Sequence, residues 1–182
     1  MQKVTLSFAA AILVSGLVLV LISLPVRQEV TEIPFTLQDG MRGVVEITVP
    51  RFLRLGDSAD LEMKVTLIPV DSNKESVKIK TSLQSVTLAM EPDSAVMTVI
   101  PADGTARFEW AIRANSSGDQ RMTVWCFRQG ADGITLILAR DITFEVRTVL
   151  EMKFSLVRWI LIELILLSLL LAGLTVYRMR RN

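Results

Sequence analysis

Few residues in this chain can do chemistry. It has no histidine and a single cysteine, Cys126. Nucleophilic triads of the Ser/His/Asp or Cys/His kind need an imidazole as base, and none exists here. A lone thiol has no disulfide partner, and structural or catalytic zinc sites need several His or Cys ligands. No Gly-rich loop leads from a strand into a soluble helix to cradle phosphate. Acids do gather in turns, at Asp57/Asp60, Asp71/Asn73 and Glu91/Asp93, where calcium loops draw their ligands. None has EF-hand spacing, and solvated turn charges are the simpler reading. Asn115-Ser116-Ser117 fits the glycosylation triplet and falls in a turn, which matters only in a eukaryotic secretory setting. Cys126, inside the apolar stretch 123–127, reads as a small buried hydrophobe. The expectation is a protein that is not an enzyme and holds no cofactor or metal.

Glu163 is the titratable residue whose surroundings make it costly. It stands four residues past Trp159 in a run of apolar side chains, where an ionised carboxylate opposes membrane insertion by about 3 kcal/mol. Two readings are open. The carboxylate reaches back toward the headgroups or Arg158, or it bonds a polar group on a partner helix or along an ion path.

The element that positions Glu163 is the C-terminal stretch 154–177. Val157 to Tyr177 spans about 31 Å as a helix, enough for a hydrocarbon core of about 30 Å. Eight Leu and three Ile lie between Trp159 and Val176. They favour insertion by about 3 to 7 kcal/mol, which outweighs the acid. A second apolar run, Val4 to Leu24, carries no charge. It is longer than the apolar region of a signal peptide and lacks a small-x-small cleavage site before Pro25, so residues 1–25 are expected to be a retained signal anchor. Ser7, Ala11 and Ser15 recur every four residues in this run, as Ser168 and Ala172 do in the other. Small residues at that spacing let helix backbones approach closely, either between the two spans or against other subunits. Lys3 at the head, with Arg178, Arg180 and Arg181 in the tail 178–182, sets the topology: both termini cytoplasmic and the middle extracytoplasmic.

The middle segment 26–153 contains fifteen Lys and Arg against eighteen Asp and Glu, while the two ends contain five against one. A weakly acidic middle does not gather phosphates, which argues against nucleic-acid binding. Its pattern is alternation. Leu61, Met63, Val65 and Leu67 alternate with Asp60, Glu62, Lys64 and Thr66, as a half-buried strand requires. The same holds for Val77 and Ile79, for Val86, Leu88 and Met90, for Phe108, Trp110 and Ile112, and for Ile142, Phe144 and Val146. Gly/Asp/Asn turns separate these runs at Gln38-Asp39-Gly40, Leu55 to Ser58, Asp71 to Asn73, Glu91 to Asp93, Ala102 to Gly104, Asn115 to Asp119 and Ala131 to Gly133. That spacing predicts an antiparallel sandwich of seven to nine strands. Met122 to Arg128 and Ile134 to Ala139 are apolar on both faces, which predicts that one of them lies at an interface.

The run Thr105 to Ala114, the Gly118-Asp119 turn, Met122 to Trp125, the Ala131-Asp132-Gly133 turn and Ile142 to Val146 together resemble the second half of immunoglobulin-like sandwich domains, of the kind anchored beside a membrane span in bacterial envelope proteins. The resemblance covers about a third of the chain and lacks the disulfide of antibody-type domains. It implies adhesion, scaffolding or assembly, and carries over no catalytic residue.

The whole chain thus predicts two transmembrane helices flanking an all-β extracytoplasmic domain. Its expected partners are the lipid bilayer and other membrane-protein subunits. The expected role is a non-catalytic accessory or assembly subunit. The alternative is a homo-oligomeric membrane effector or a ligand-binding module; the short tails count against a solitary signalling receptor but leave an effector whose output is the membrane itself.

Overall fold

In a computed structural model the described residues are 2–37, 40–68, 76–101, 104–130, 133–149 and 152–181, with helix side chains described from residue 12 to residue 178. The elements in chain order are α1 (Gln2–Ser23), β1 (Gln28–Thr36), β2 (Arg42–Pro50), β3 (Leu53–Arg54), β4 (Ser58–Ile68), β5 (Val77–Gln84), β6 (Leu88–Glu91), β7 (Val96–Ile100), β8 (Thr105–Ala114), β9 (Gly118–Gly130), β10 (Gly133–Arg147) and α2 (Phe154–Arg181). They form two units, Val26–Arg147 and a second made of Met1–Pro25 with Thr148–Asn182.

Alternation builds the first unit. β4 turns Leu61, Met63, Val65 and Leu67 inward, each at most 2% exposed, and its polar residues outward. β8 does the same with Phe108, Trp110 and Ile112, and β9 with Met122, Val124 and Cys126. Two five-stranded sheets result, ordered β1-β2-β4-β8-β6 and β3-β10-β9-β5-β7, with their inner faces making one core. Each large apolar side chain buried there contributes about 1.5–3 kcal/mol. Gly43 in β2 lies opposite Phe35 of β1. A Cβ there would sit 2.5 Å from both the Phe35 ring and the Thr66 carbonyl, so the strand position demands glycine.

Three features depart from the sequence reading. Ten strands form among the described residues rather than seven to nine, because the chain passes between sheets through the short β6 and β7 and adds the two-residue β3. β3 pairs in parallel with β10 at Val146 and Arg147, so the sandwich is not wholly antiparallel. Val86 is fully exposed and lies outside any strand. The reason is local. Ser85 Oγ donates to the Arg121 carbonyl at 2.8 Å and accepts from the Thr87 and Leu88 amides at 3.3 and 3.2 Å, a hydroxyl-centred turn that lifts Val86 off the sheet. Leu88 and Met90 do follow the expected inward direction.

The chain enters and leaves the sandwich at one end. Gln28 pairs with Pro50, and Leu53 pairs with Val146. Pro50 and Leu53 are three residues apart, at most about 11 Å. The opposite end, or tip, holds the Val77–Ile100 and Gly130–Gly133 pairs.

Candidate membrane and docking surfaces

In the helical unit, unlike the sandwich, most large apolar side chains stay outside and only a narrow stripe is covered. α1 and α2 pack along each other. In α2 the buried or half-buried positions are Phe154, Val157, Arg158, Leu161, Ile165, Ser168, Ala172 and Thr175, and in α1 they are Ile12, Ser15, Gly16, Leu19 and Ile22. Spacings of three and four in both helices mark one contact stripe on each. Ser15 and Ser168 are 6% and 8% exposed, whereas Leu13, Leu17, Val20, Leu166, Leu167 and Leu170 are more than half exposed. Serines within this mostly apolar stripe and leucines outside it suit an apolar solvent, where backbone and hydroxyl groups must bond within the protein. Ser168 Oγ accordingly donates to the Leu164 carbonyl at 2.7 Å, and Thr175 Oγ1 to that of Ala172 at 2.7 Å. Phe154–Arg178 is a 25-residue stretch long and apolar enough to cross a membrane.

The residues singled out from the sequence separate into two groups. Ser15, Ser168 and Ala172 lie on the helix-contact stripes. Glu163 does not. It is exposed, in line at helical spacing with Leu166, Leu167, Leu170 and Leu174 on the outer face of α2. Arg178 is exposed as well. The side chains of Lys3, Ser7, Ala11, Arg180 and Arg181 lie outside those described. A Cβ placed on Gly16 or Gly173 would meet nothing within 4 Å, so the two backbones do not make a glycine-mediated close approach at either position.

The two outer faces of the sandwich differ in chemistry. On the first sheet Arg107 Nε bonds Glu62 at 2.7 Å and Lys64 Nζ bonds Glu46 at 3.4 Å, pairs that keep the face soluble and contribute little to stability. Two shallow grooves border this sheet. One, of about 390 Å³, has Asp60, Glu62 and Glu109 on its rim; the other, about 220 Å³, lies where β1 and β10 face each other at Glu29, Arg51, Arg140 and Asp141. Glu29 pairs with Arg51 at 3.6 Å, and Asp141 accepts from Thr123 Oγ1 at 2.7 Å. Among the described residues no group of three or more Cys, Asp or Glu could hold a metal ion. Cys126 is fully buried, and burial pushes its thiol up to about 12.

The second sheet carries a largely apolar row on its outer face, interrupted by Lys80. Register places Met97, Lys80, Phe127 and Leu136 side by side across β7, β5, β9 and β10. Trp125 stacks on Phe127 with ring centroids 6.1 Å apart, and Met97, Val99, Ile134 and Leu136 are each about half exposed or more. The two-faced apolarity of 122–128 and 134–139 foretells the β9 and β10 part of this row. The β7 part has no such signal, since Val-Met-Thr-Val-Ile does not alternate.

Several solved structures match part of the chain, each at low identity and with a TM-score under 0.5. The cupredoxin domain of amoB from Nitrosocaldus yellowstonii is 14% identical with a TM-score of 0.33, covering 50% of this chain and 56% of the other. This chain thus matches little more than half of that domain's length. A cohesin module of a Clostridium perfringens family 33 glycoside hydrolase is 10% identical, with a TM-score of 0.38 over 59% of this chain and 98% of the module. A conjugative transposon lipoprotein from Bacteroides eggerthii is 13% identical, with a TM-score of 0.32 over 55% of this chain and 93% of that one. No protein-family model and no curated protein matches the chain.

Proposed function

We propose that the protein is a non-catalytic accessory or assembly subunit of a larger membrane complex. Both helices cross the bilayer, both termini are cytoplasmic, and the sandwich covers or scaffolds the extracytoplasmic face. The observation that carries this reading is the exposure of Glu163 on the outer leucine face of α2, while the small polar residues Ser15 and Ser168 are already buried in the helix unit. An acid on the outer face of a membrane-spanning helix is costly unless a partner helix supplies a polar group or the carboxylate reaches the headgroups. Docking against a foreign helix satisfies it.

The test is gentle detergent extraction of wild type and Glu163→Leu, followed by mass spectrometry of what travels with each. Foreign subunits at fixed ratio with wild type, depleted with the variant, are expected. Recovery of this chain alone, or an unchanged subunit set in the variant, would overturn the reading. For topology, single cysteines at Gln2 and Asn182 are expected to react with a membrane-impermeant maleimide only from the cytoplasmic side.

A further inference from the structure

The two sheets end on four edges, and their suitability for a further strand differs. β1 carries Glu29, Glu32 and Pro34, and proline lacks the donor that pairing needs. β6 has four residues and ends in Glu91. β10 is bulged between Leu136 and Leu138, and β3 covers its last two residues. β7 has none of these protections. It is Val96-Met97-Thr98-Val99-Ile100, without charge, glycine or proline, and its described pairing is with β5 on one side.

We propose that β7 pairs antiparallel with β7 of a second copy of this chain, joining the two second sheets edge to edge. The occupant follows from the sequence of the strand, which is its own complement about Thr98. Val96 then lies opposite Ile100 of the second copy, Met97 opposite Val99, and Thr98 opposite Thr98. Residues directly opposite in an antiparallel pair share a face. Met97 and Val99, 57% and 55% exposed, therefore cover each other on the outer face, and the Leu136-Phe127-Lys80-Met97 row continues across the junction. The two Lys80 rows stand three strand spacings apart, about 14 Å, beyond a physiological screening length of about 8 Å. The contact is isologous and closes as a pair.

The geometry also sets the direction of the pair. Thr98 aligns through Ile79 with Arg128 of β9, ten residues from Gly118 at the end where the chain enters and leaves. That is about 33 Å along the strands. An antiparallel junction near the tip therefore points the two chain exits away from each other, about 66 Å apart.

Cysteine cross-linking of the full-length chain in detergent tests the junction. Thr98→Cys lies on the two-fold axis, with a Cα separation of about 4.5–5.5 Å that suits a disulfide. It is expected to give a covalent dimer on oxidation, as is the Met97→Cys/Val99→Cys double variant. Neither single variant of that pair should, because each stands diagonal to its copy. Adding Met97→Lys and Val99→Lys to Thr98→Cys is expected to cut dimer yield at least tenfold. Native Cys126 is buried and does not compete. Failure of both Thr98→Cys and the double variant to cross-link, or equal cross-linking by the singles, would overturn the junction. A chain that fails to enter bilayers yet cross-links in detergent would count against the membrane reading and leave the β7 pairing intact.

Discussion

The sandwich and the helical unit treat their large apolar side chains differently. In the sandwich Phe108, Trp110 and Met63 are at most 2% exposed and charges line the outside of the first sheet. In the helices Ser15 and Ser168 are inside, while Leu17, Leu166 and Leu170 are outside. Water drives the first arrangement by expelling apolar surface. Where lipid replaces water that force is lost, and packing and internal hydrogen bonds decide what turns inward. On the membrane reading proposed above, the two units face two different solvents.

The contrast can be broken most forcefully in the sandwich core. Trp110→Ala should cost about 3–5 kcal/mol, measured by denaturant unfolding, because a large cavity opens where water-driven packing is the main support. In the helical unit the opposite polarity of change is disruptive. Ser168→Leu should destabilise the helix pair by about 1–3 kcal/mol through overpacking, whereas Leu170→Ser on the outer face should leave helix pairing unchanged; detergent titration followed by circular dichroism reads both. A finer probe is Cys126. Its thiol titrates near 9 when unfolded and about 12 when folded. The native state therefore keeps a proton that the unfolded chain releases, so stability is intact below pH 9 and falls as pH rises. The loss by pH 10 is about 1.4 kcal/mol, and Cys126→Ala should lack that alkaline component. The smallest effect belongs to Glu145. The Arg147 guanidinium, bonded to it at 2.7 Å, lowers its carboxyl below the usual range. Any stability from the pair is present above the ordinary carboxylate pKa and lost as pH falls, but both groups are solvent-exposed. Glu145→Gln should not shift the unfolding midpoint measurably at neutral pH.

What could be read in advance follows the range of the interactions. Strands β4, β8 and the end of β10 declare themselves, because alternation depends on which neighbour faces the core and not on who that neighbour is. β3 does not, since two residues show no period and its existence depends on Val146 nearly a hundred positions later. Val86 misleads because a single hydroxyl, Ser85, outweighs an apolar side chain at a turn. The contact stripe through Ser168 and Ala172 is legible as helical spacing. That Glu163 faces outward is not, because a stripe of small residues says which face is narrow but not which is occupied. The edge at β7 is hidden for a related reason. An edge exists only relative to the order of the other strands.

Entry and exit of the chain at one end of the sandwich has a thermodynamic consequence for the helices. With the domain folded, the 130 residues between α1 and α2 act as a connection of about ten, because the ends of the sandwich are already held together. Unfolded, they must be closed as a long flexible loop, a difference of about 2 kcal/mol in closure entropy. Folding of the sandwich therefore raises the effective concentration of one helix for the other, and helix pairing favours the folded sandwich by the same amount.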